Sequence, residues 1–146
     1  MLPSLLYPHL LAIFGYSQYS DTRNIRILAI FGYSQYSDTR NIRTLIKKYH
    51  NILNDIQPIV AQLENGEIPG DQVTGVGYPV FKLRIKNSDN QKGKSGGYRL
   101  IYYLKTNYKI LLLTLYNKSE REDVMITDLK DIIEEYKLST SEAPSQ

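Results

Sequence analysis

The sequence contains no cysteine and only two histidines, His9 and His50, among its 146 residues. The absence of cysteine excludes disulfides, thiolate catalysis and cysteine-ligated zinc or iron–sulfur sites. Two isolated histidines are too few for a histidine-rich metal site. We therefore expect the protein to use neither a metal ion nor another cofactor.

Long hydrophobic runs are also missing. No stretch approaches the roughly 18 consecutive apolar residues of a membrane-spanning helix. Residues 1–14 are apolar enough to suggest a signal peptide, but they lack a positive n-region, contain Pro3 and Pro8, and precede no clean small-residue cleavage site. We expect a cytoplasmic protein that does not bind membranes.

The motifs of several common enzyme classes are absent as well. Residues 93–95 (Gly-Lys-Ser) lack the upstream glycine of a P-loop, and no GxGxxG motif occurs. A Ser-His-Asp triad would need His9 or His50, and neither is well placed for one. Glu134 and Glu135 fall on the polar face of a predicted helix, which argues against a glycosidase pair.

The N-terminal part of the chain contains a perfect repeat. The sequence LAIFGYSQYSDTRNIR at residues 11–26 recurs unchanged at residues 28–43, with Ile27 between the copies. Solenoid repeats drift in sequence and need about three copies to bury a core. We interpret the pair as a tandem duplication.

Only the second copy continues directly into a helical pattern, so we expect it to occupy the fold. A helix that begins near Ser37 can extend through Tyr49. The sequence then predicts three regions: a duplicated extension at 1–26 that is not integrated, a folded domain at 27–137, and a disordered tail at 138–146, which is rich in serine.

Hydrophobic periodicity predicts a short strand at residues 28–31 and then a helical hairpin. The apolar face of the first helix recurs at i, i+3, i+4 and i+7 and comprises Ile42, Leu45, Ile46 and Tyr49. Asp55 is a candidate N-cap for the second helix, with Pro58 in its first turn and Gly66 as its stop signal.

The sequence pattern of the remainder of the domain predicts three strands and a final helix. Residues 80–86 alternate between apolar and basic side chains, which is typical of a half-buried strand. Residues 98–104 form the next predicted strand, and residues 109–116 are apolar on both faces, which indicates a central strand. A helix from about residue 127 has an apolar stripe made of Leu129, Ile132, Ile133 and Tyr136.

This order predicts an α+β domain. We expect an N-terminal strand, a helical hairpin packed on one face of a mainly antiparallel, curved sheet, and a C-terminal helix.

Charge is polarised along the chain, although the formal net charge is only +3. Residues 82–99 carry six bases against one acid, whereas residues 119–142 carry eight acids against three bases. Alternate strand residues lie about 6.7 Å apart. Lys82, Arg84 and Lys86 would therefore form a row of cations that suits an extended nucleic-acid backbone.

A solvated polar strand face is the alternative interpretation of that row. Lys92, Lys94 and Arg99 extend the positive charge and favour an anionic partner. The glycines between them let the loop backbone approach a phosphate. Tyr98 and Tyr116 could stack on bases, although a tyrosine on a strand more often packs in the core.

Two segments resemble a known family. GKSGGYRLIYY at residues 93–103 and LLTLYNKSE at residues 112–120 are similar to the core of RelE/ParE-superfamily toxins of the HigB-like branch. The resemblance covers about residues 33–137. It implies a RelE-like fold, a cytosolic bacterial setting and a cognate antitoxin, often a helix-turn-helix DNA-binding protein.

The resemblance also implies a function as the toxin of a type II toxin–antitoxin system that cuts messenger RNA on the ribosome. In such enzymes the 2′-hydroxyl of a messenger nucleotide attacks the adjacent phosphate, and basic side chains transfer protons and stabilise charge. Lys82 and Arg84 fall on family positions for proton transfer and phosphate contact. Arg99 falls on the phosphate-binding arginine.

Two positions depart from the family pattern. Ribosome-dependent relatives often carry an arginine just after the position of Lys118 and a tyrosine six residues later, where this chain has Ser119 and Met125. Lys118 or Tyr116 is then the candidate leaving-group acid. The predicted RNA-binding residues are Lys86, Lys92, Lys94, Tyr98 and Tyr116, beside the predicted catalytic set of Lys82, Arg84, Arg99 and Lys118.

Two alternative functions belong to other classes. A degenerate toxin would bind its antitoxin without cutting RNA, and the duplication together with Ser119 favours this alternative. A ParE-like inhibitor would bind DNA gyrase without chemistry, and such a protein would not need the cluster of cations between residues 82 and 99.

Overall fold

A computed structural model of the chain describes residues 18–19, 26–29, 47–89, 96–107, 109–119 and 124–139. Within these ranges the chain forms six strands and two helices, besides helical Lys47 and Lys48. Their bounds are β1 Gln18–Tyr19, β2 Arg26–Ala29, α1 Ile52–Glu64, β3 Asp71–Gln72, β4 Val80–Ile85, β5 Tyr98–Thr106, β6 Lys109–Asn117 and α2 Ile126–Ser139. The predicted α+β class is confirmed. Neither described helix combines the length and hydrophobicity that crossing a membrane requires.

The strands form one sheet in the order β1-β2-β6-β5-β4-β3. Strands β3 to β6 pair antiparallel, and β2 pairs parallel with β6. The prediction that β6 is central is confirmed, because β6 lies between β2 and β5 and is buried from Ile110 to Asn117.

The expected N-terminal strand at 28–31 overlaps β2, which begins two residues earlier at Arg26. The short β1 pairs with β2 at Gln18 and Tyr19. Residues 1–17, 20–25 and 140–146 lie outside the described residues, so the expected extension and the expected disordered tail stay predictions.

Each face of the sheet carries its own hydrophobic core. Helix α1 packs on one face, and its buried residues are Ile52, Leu53, Ile56, Val60 and Leu63. These side chains meet Ile85, Leu100 and Leu112 from the strands. Helix α2 covers the other face with the predicted stripe, since Leu129, Ile132, Ile133 and Tyr136 are all buried.

The alternation along β4 explains which residues face which core. Phe81, Leu83 and Ile85 pack toward the α1 core, whereas Val80 belongs to the α2 core. Side chains alternate between the two faces of a sheet. Lys82 and Arg84 therefore lie on the α2 face, as the sequence pattern predicted for the basic residues.

The predicted start of α1 is wrong. The helix begins at Ile52 after Asn51, three residues before the expected N-cap Asp55, and Pro58 consequently lies in its interior. Most of the first helix of the predicted hairpin lies outside the described residues, although Lys47 and Lys48 are helical.

The stop signal of α1 is confirmed. Gly66 has a φ of 87°, and its N–H donates to the carbonyl oxygen of Leu63. The N–H of Glu67 donates to the carbonyl oxygen of Gln62 at 2.9 Å. This pair of hydrogen bonds is a Schellman motif, which requires a residue that tolerates positive φ.

Two carboxylates hold the segment after β4 against the beginning of α1. Asp55 accepts hydrogen bonds from the N–H and the hydroxyl of Ser88 at 2.9 and 3.1 Å. Asp89 accepts a hydrogen bond from the N–H of Asn51 at 2.9 Å. Asp55 therefore makes a long-range tether instead of a local cap, and Asp89 satisfies a backbone donor at the helix terminus.

Candidate active site

The α2 face of the sheet is apolar at one end and basic at the other. On β5, Ile101 and Tyr103 belong to the core beneath α2, and Arg99 lies beyond them on the same face. On β4, Val80 belongs to that core, while Lys82 and Arg84 continue the strand away from it. Lys82, Arg84 and Arg99 thus form a basic surface on this face of the sheet, next to the apolar core under α2.

The register of β4 and β5 determines which cations meet. Arg84 pairs directly with Arg99, and Lys82 pairs with Ile101. Opposite residues of an antiparallel pair project to the same face with Cβ atoms about 5 Å apart. Arg99 therefore shares a face with Lys82 and Arg84, a relationship that the sequence left open.

An open pocket of about 430 Å³ lies over this basic surface. It is lined by Gly70, Asp71, Gln72, Val73, Lys82, Leu83, Arg84, Arg99 and Lys118. All four residues of the predicted catalytic set line it, although they come from β4, β5 and the end of β6. Their convergence concentrates four cationic groups around one cavity, which favours an anionic ligand.

Arg99 is a buried residue that lines this pocket. It is only 5% exposed. Its Nη1 atom donates to the carbonyl oxygens of Tyr98 at 3.3 Å and Gly97 at 3.5 Å. These contacts place the guanidinium of Arg99 at the pocket beside the backbone of residues 97 and 98.

Gly97 brings the backbone of β5 close to its neighbours. A Cβ atom on this residue would lie 2.2 Å from the carbonyl oxygen of Ile85, so no side chain fits. The carbonyl oxygen of Gly97 accepts a hydrogen bond from the N–H of Lys118 at 2.8 Å. The same carbonyl therefore helps to position two pocket residues, Arg99 and Lys118.

A buried polar network lies beneath the end of β6. Asn117 is 1% exposed and Asn87 is completely buried. The Nδ2 atom of Asn87 donates to Oδ1 of Asn117 at 3.2 Å. Asn117 in turn donates to the hydroxyl of Tyr49 at 3.3 Å and to Oγ of Ser119 at 2.6 Å. The network fixes the backbone on both sides of Lys118.

The structure places the predicted RNA-binding residues in different environments. Lys86 is exposed directly after β4, and Lys92 and Lys94 lie outside the described residues. Tyr98 is fully buried in the α1 core and Tyr116 is 2% exposed in the α2 core. Their rings are covered by protein, so we remove both tyrosines from the candidate RNA-binding set.

Asp71, which lines the pocket, is a residue that the sequence analysis did not single out. It belongs to the two-residue strand β3 and pairs with Lys82. Gly70 precedes it with a φ of 96°, and a Cβ there would lie 2.6 Å from the carbonyl oxygen of Lys82. The glycine allows this close approach of the two strands, and a two-residue strand is too short to show periodicity.

The described residues offer little to a metal ion. Across residues 47–89 and the later described ranges, no three side chains of His, Cys, Asp or Glu form a group that could bind one. Among the described residues lining the pocket, Asp71 is the single acid. The charged side chains among the described lining residues are those of Lys82, Arg84, Arg99, Lys118 and Asp71.

One comparison with known proteins identifies a family. The family model described as "RelE toxin of RelE / RelB toxin-antitoxin system" matches residues 30–142, well over half of the chain. The matched segment includes both helices, β3 to β6 and every residue that lines the pocket. A search of curated proteins finds no match.

Proposed function

The chain belongs to the RelE toxin family, and from this premise we propose that it is an endoribonuclease that inhibits translation by cutting messenger RNA on the ribosome. Membership of the family makes the protein a toxin–antitoxin toxin with an antitoxin partner of the RelB type. The observation that supports cleavage is the convergence of Lys82, Arg84, Arg99 and Lys118 on one pocket.

The proposed reaction is an attack by the 2′-oxygen of one nucleotide on the adjacent phosphorus. The bond from the 2′-oxygen to phosphorus forms as the bond from phosphorus to the 5′-oxygen breaks. The products are a 2′,3′-cyclic phosphate and a 5′-hydroxyl end. The 2′-hydroxyl must lose a proton, and the leaving 5′-oxygen must gain one.

Each of the four cationic residues has its own role in this reaction. Arg99 and Arg84 contact the non-bridging oxygens and stabilise the charge that develops on the phosphorane-like transition state. Lys82 assists removal of the proton from the 2′-hydroxyl. Lys118, held by Gly97, donates a proton to the leaving oxygen. Such proton transfers typically contribute about 10²- to 10⁴-fold each.

A cell-free translation reaction tests this proposal. Purified protein is added, and the 5′ ends of the messenger are mapped by primer extension beside Lys82→Ala and Arg99→Ala. Lys130→Ala is the matched control, because Lys130 is an exposed lysine on α2 outside the pocket. New ends within translated codons that disappear in both pocket variants, but persist in the control, support the proposal.

The ribosome is expected to contribute much of the rate by positioning the messenger. The purified protein should therefore cut naked RNA only weakly, and vigorous cleavage of free RNA would indicate an autonomous nuclease. Expression of Arg99→Ala in cells should abolish toxicity and leave antitoxin binding intact. Toxicity that survives this substitution would remove Arg99 from the site.

We further propose the HigB-like branch, a cytoplasmic location and a helix-turn-helix antitoxin, all from the similarity of residues 93–103 and 112–120. Lys86 is proposed to extend the phosphate-binding surface, because it is exposed directly after β4. Lys92 and Lys94 are proposed to contact RNA from the loop that follows.

A degenerate toxin is the second candidate function. One observation favours it: Oγ of Ser119 accepts a hydrogen bond from the buried Asn117, at the position where relatives often carry an arginine. Full-length messenger in cells that express the protein, together with retained antitoxin binding, would support this alternative. Induction of a DNA damage response would instead indicate a gyrase inhibitor.

A further inference from the structure

Asp71 and Lys82 are opposite partners on β3 and β4, and both line the basic pocket. Their side chains therefore project to the same face, with Cβ atoms about 5 Å apart. Asp71 is an exposed residue, so a substrate can reach its carboxylate from the cavity. Gly70 makes this pairing possible by letting the chain pass against the backbone of Lys82.

A carboxylate is an unexpected lining group for a pocket that is proposed to bind phosphate. It repels the non-bridging oxygens, so it weakens binding of the substrate's charged group. Arg84, Arg99 and Lys118 already supply donors for those oxygens, and none of them can accept a hydrogen bond as a cation. Within the described lining, Asp71 is the one residue with a carboxylate, whose oxygens can accept the proton of a hydroxyl.

We infer that Asp71 is the proton acceptor for the attacking 2′-hydroxyl, with Lys82 opposite it on the adjacent strand. This inference rests on the proposed function. The proton of the 2′-hydroxyl passes to a carboxylate oxygen of Asp71 as the 2′-oxygen bonds to phosphorus. The 5′-oxygen departs and takes its proton from Lys118, so charge and atoms balance. In this scheme Lys82 assists proton removal by placing its positive charge near the 2′-oxygen as that atom becomes negative.

The alternative is that Asp71 only shapes the pocket wall at β3. The two roles differ in kinetics. If Asp71 is the proton acceptor, its replacement lowers kcat. The same replacement removes a negative charge beside the bound phosphate, so KM stays unchanged or falls. A structural role predicts a higher KM or a loss of thermal stability instead, because the pocket wall itself would be disturbed.

The experiment measures cleavage of messenger on stalled ribosomes under single-turnover conditions. Asp71→Asn is compared with the wild type and with Glu67→Gln, a matched control at an exposed acid that does not line the pocket. We expect Asp71→Asn to lower the cleavage rate at saturation by about 10²-fold or more, with binding equal or tighter. Glu67→Gln should cut at the wild-type rate.

Chemical rescue separates a proton acceptor from a structural residue. Added formate should restore cleavage by Asp71→Ala toward the wild-type rate, because a small carboxylate can occupy the vacated volume. Formate should not restore Lys82→Ala. Thermal unfolding of each variant confirms that the fold is retained.

Three outcomes overturn the inference. A wild-type rate in Asp71→Asn would exclude Asp71 from proton transfer, and a slow Asp71→Ala that formate does not accelerate would assign it a structural role. An equal fall in the Glu67→Gln control would attribute the loss to surface charge. Failure of the wild type to cut at all would instead overturn the proposed function, and the inference with it.

Discussion

Arg84 and Arg99 are directly opposite each other on adjacent antiparallel strands, and both face the pocket. Like charges in this arrangement repel and destabilise a sheet by up to about 1 kcal/mol. The free protein therefore retains an unfavourable pair that a bound phosphate would relieve. Stability and anion binding should respond in opposite directions when one of these charges is removed.

Replacement of Arg84 tests this relationship. Because Arg84 is exposed and Arg99 is buried, Arg84→Gln removes the repulsion without opening the core. We expect the free energy of unfolding in urea to rise by up to about 0.5 kcal/mol. The stabilisation that phosphate gives the wild type should fall. A variant that is less stable without phosphate would contradict the proposed repulsion; Lys130→Gln serves as the control.

Gly97 is expected to tolerate no side chain. Gly97→Ala places a Cβ 2.2 Å from the backbone oxygen of Ile85, so we expect a loss of about 3 kcal/mol in the free energy of unfolding. Gly77→Ala is the matched comparison, because nothing lies within 4 Å of its Cβ position and only its φ of 88° opposes alanine. That variant should lose about 1 kcal/mol. Equal losses, measured by urea unfolding, would disprove the steric argument.

Tyr102 ties the segment before β3 to the sheet. Its hydroxyl donates to the carbonyl oxygen of Pro69 at 2.5 Å, and its ring stacks on Phe81. Tyr102→Phe keeps the ring and removes the hydrogen bond, so we expect a loss of about 1 kcal/mol in the free energy of unfolding. Thermal unfolding measures it, and an unchanged midpoint would show that water replaces the bond at no cost.

The same hydroxyl predicts a pH dependence of stability. Burial raises the pKa of Tyr102 well above its usual range, whereas a tyrosine in the unfolded chain titrates near pH 10. The folded state therefore holds the proton more tightly, and this contribution is fully present below about pH 10 and is lost as the pH rises further. The wild type should lose more stability than Tyr102→Phe between pH 9 and about pH 11. Parallel losses in the two proteins would refute the assignment.

Deletion of residues 1–26 tests the role of the duplicated extension. It removes β1 and the first residue of β2, and it leaves residues 27–29 to pair with β6. The core and pocket residues that the structure describes all follow residue 48. We expect a folded domain with one cooperative thermal transition. A broad transition without cooperativity would show that the extension is integrated in the fold.

Periodic segments of the sequence predicted the structure well. The alternation over residues 80–86 gave β4 and its basic face, and the stripe from Leu129 to Tyr136 gave α2. These patterns are local, since period 2 and period 3.6 arise from the backbone of a single element. The end of α1 at Gly66 was also predictable, because a positive φ is a local property that favours glycine.

Long-range relationships could not be predicted in this way. The pairing of Arg84 with Arg99 depends on strand register, which the intervening loop and tertiary packing determine. Asp55 was misassigned as a cap because its partner, Ser88, is 33 residues away. Burial of Tyr98 and Tyr116 follows from which helix covers which face, and a strand sequence alone does not contain that information.

The anchoring of Arg99 has a thermodynamic consequence for RNA binding. A free arginine side chain loses roughly 2 kcal/mol of rotamer entropy when it is immobilised. Here the carbonyl oxygens of Gly97 and Tyr98 already restrict the guanidinium within a nearly solvent-free site. Most of that entropy is lost when the chain folds rather than when the phosphate binds. In the proposed reaction, Arg99 therefore meets the phosphate with a geometry that folding has already preorganised.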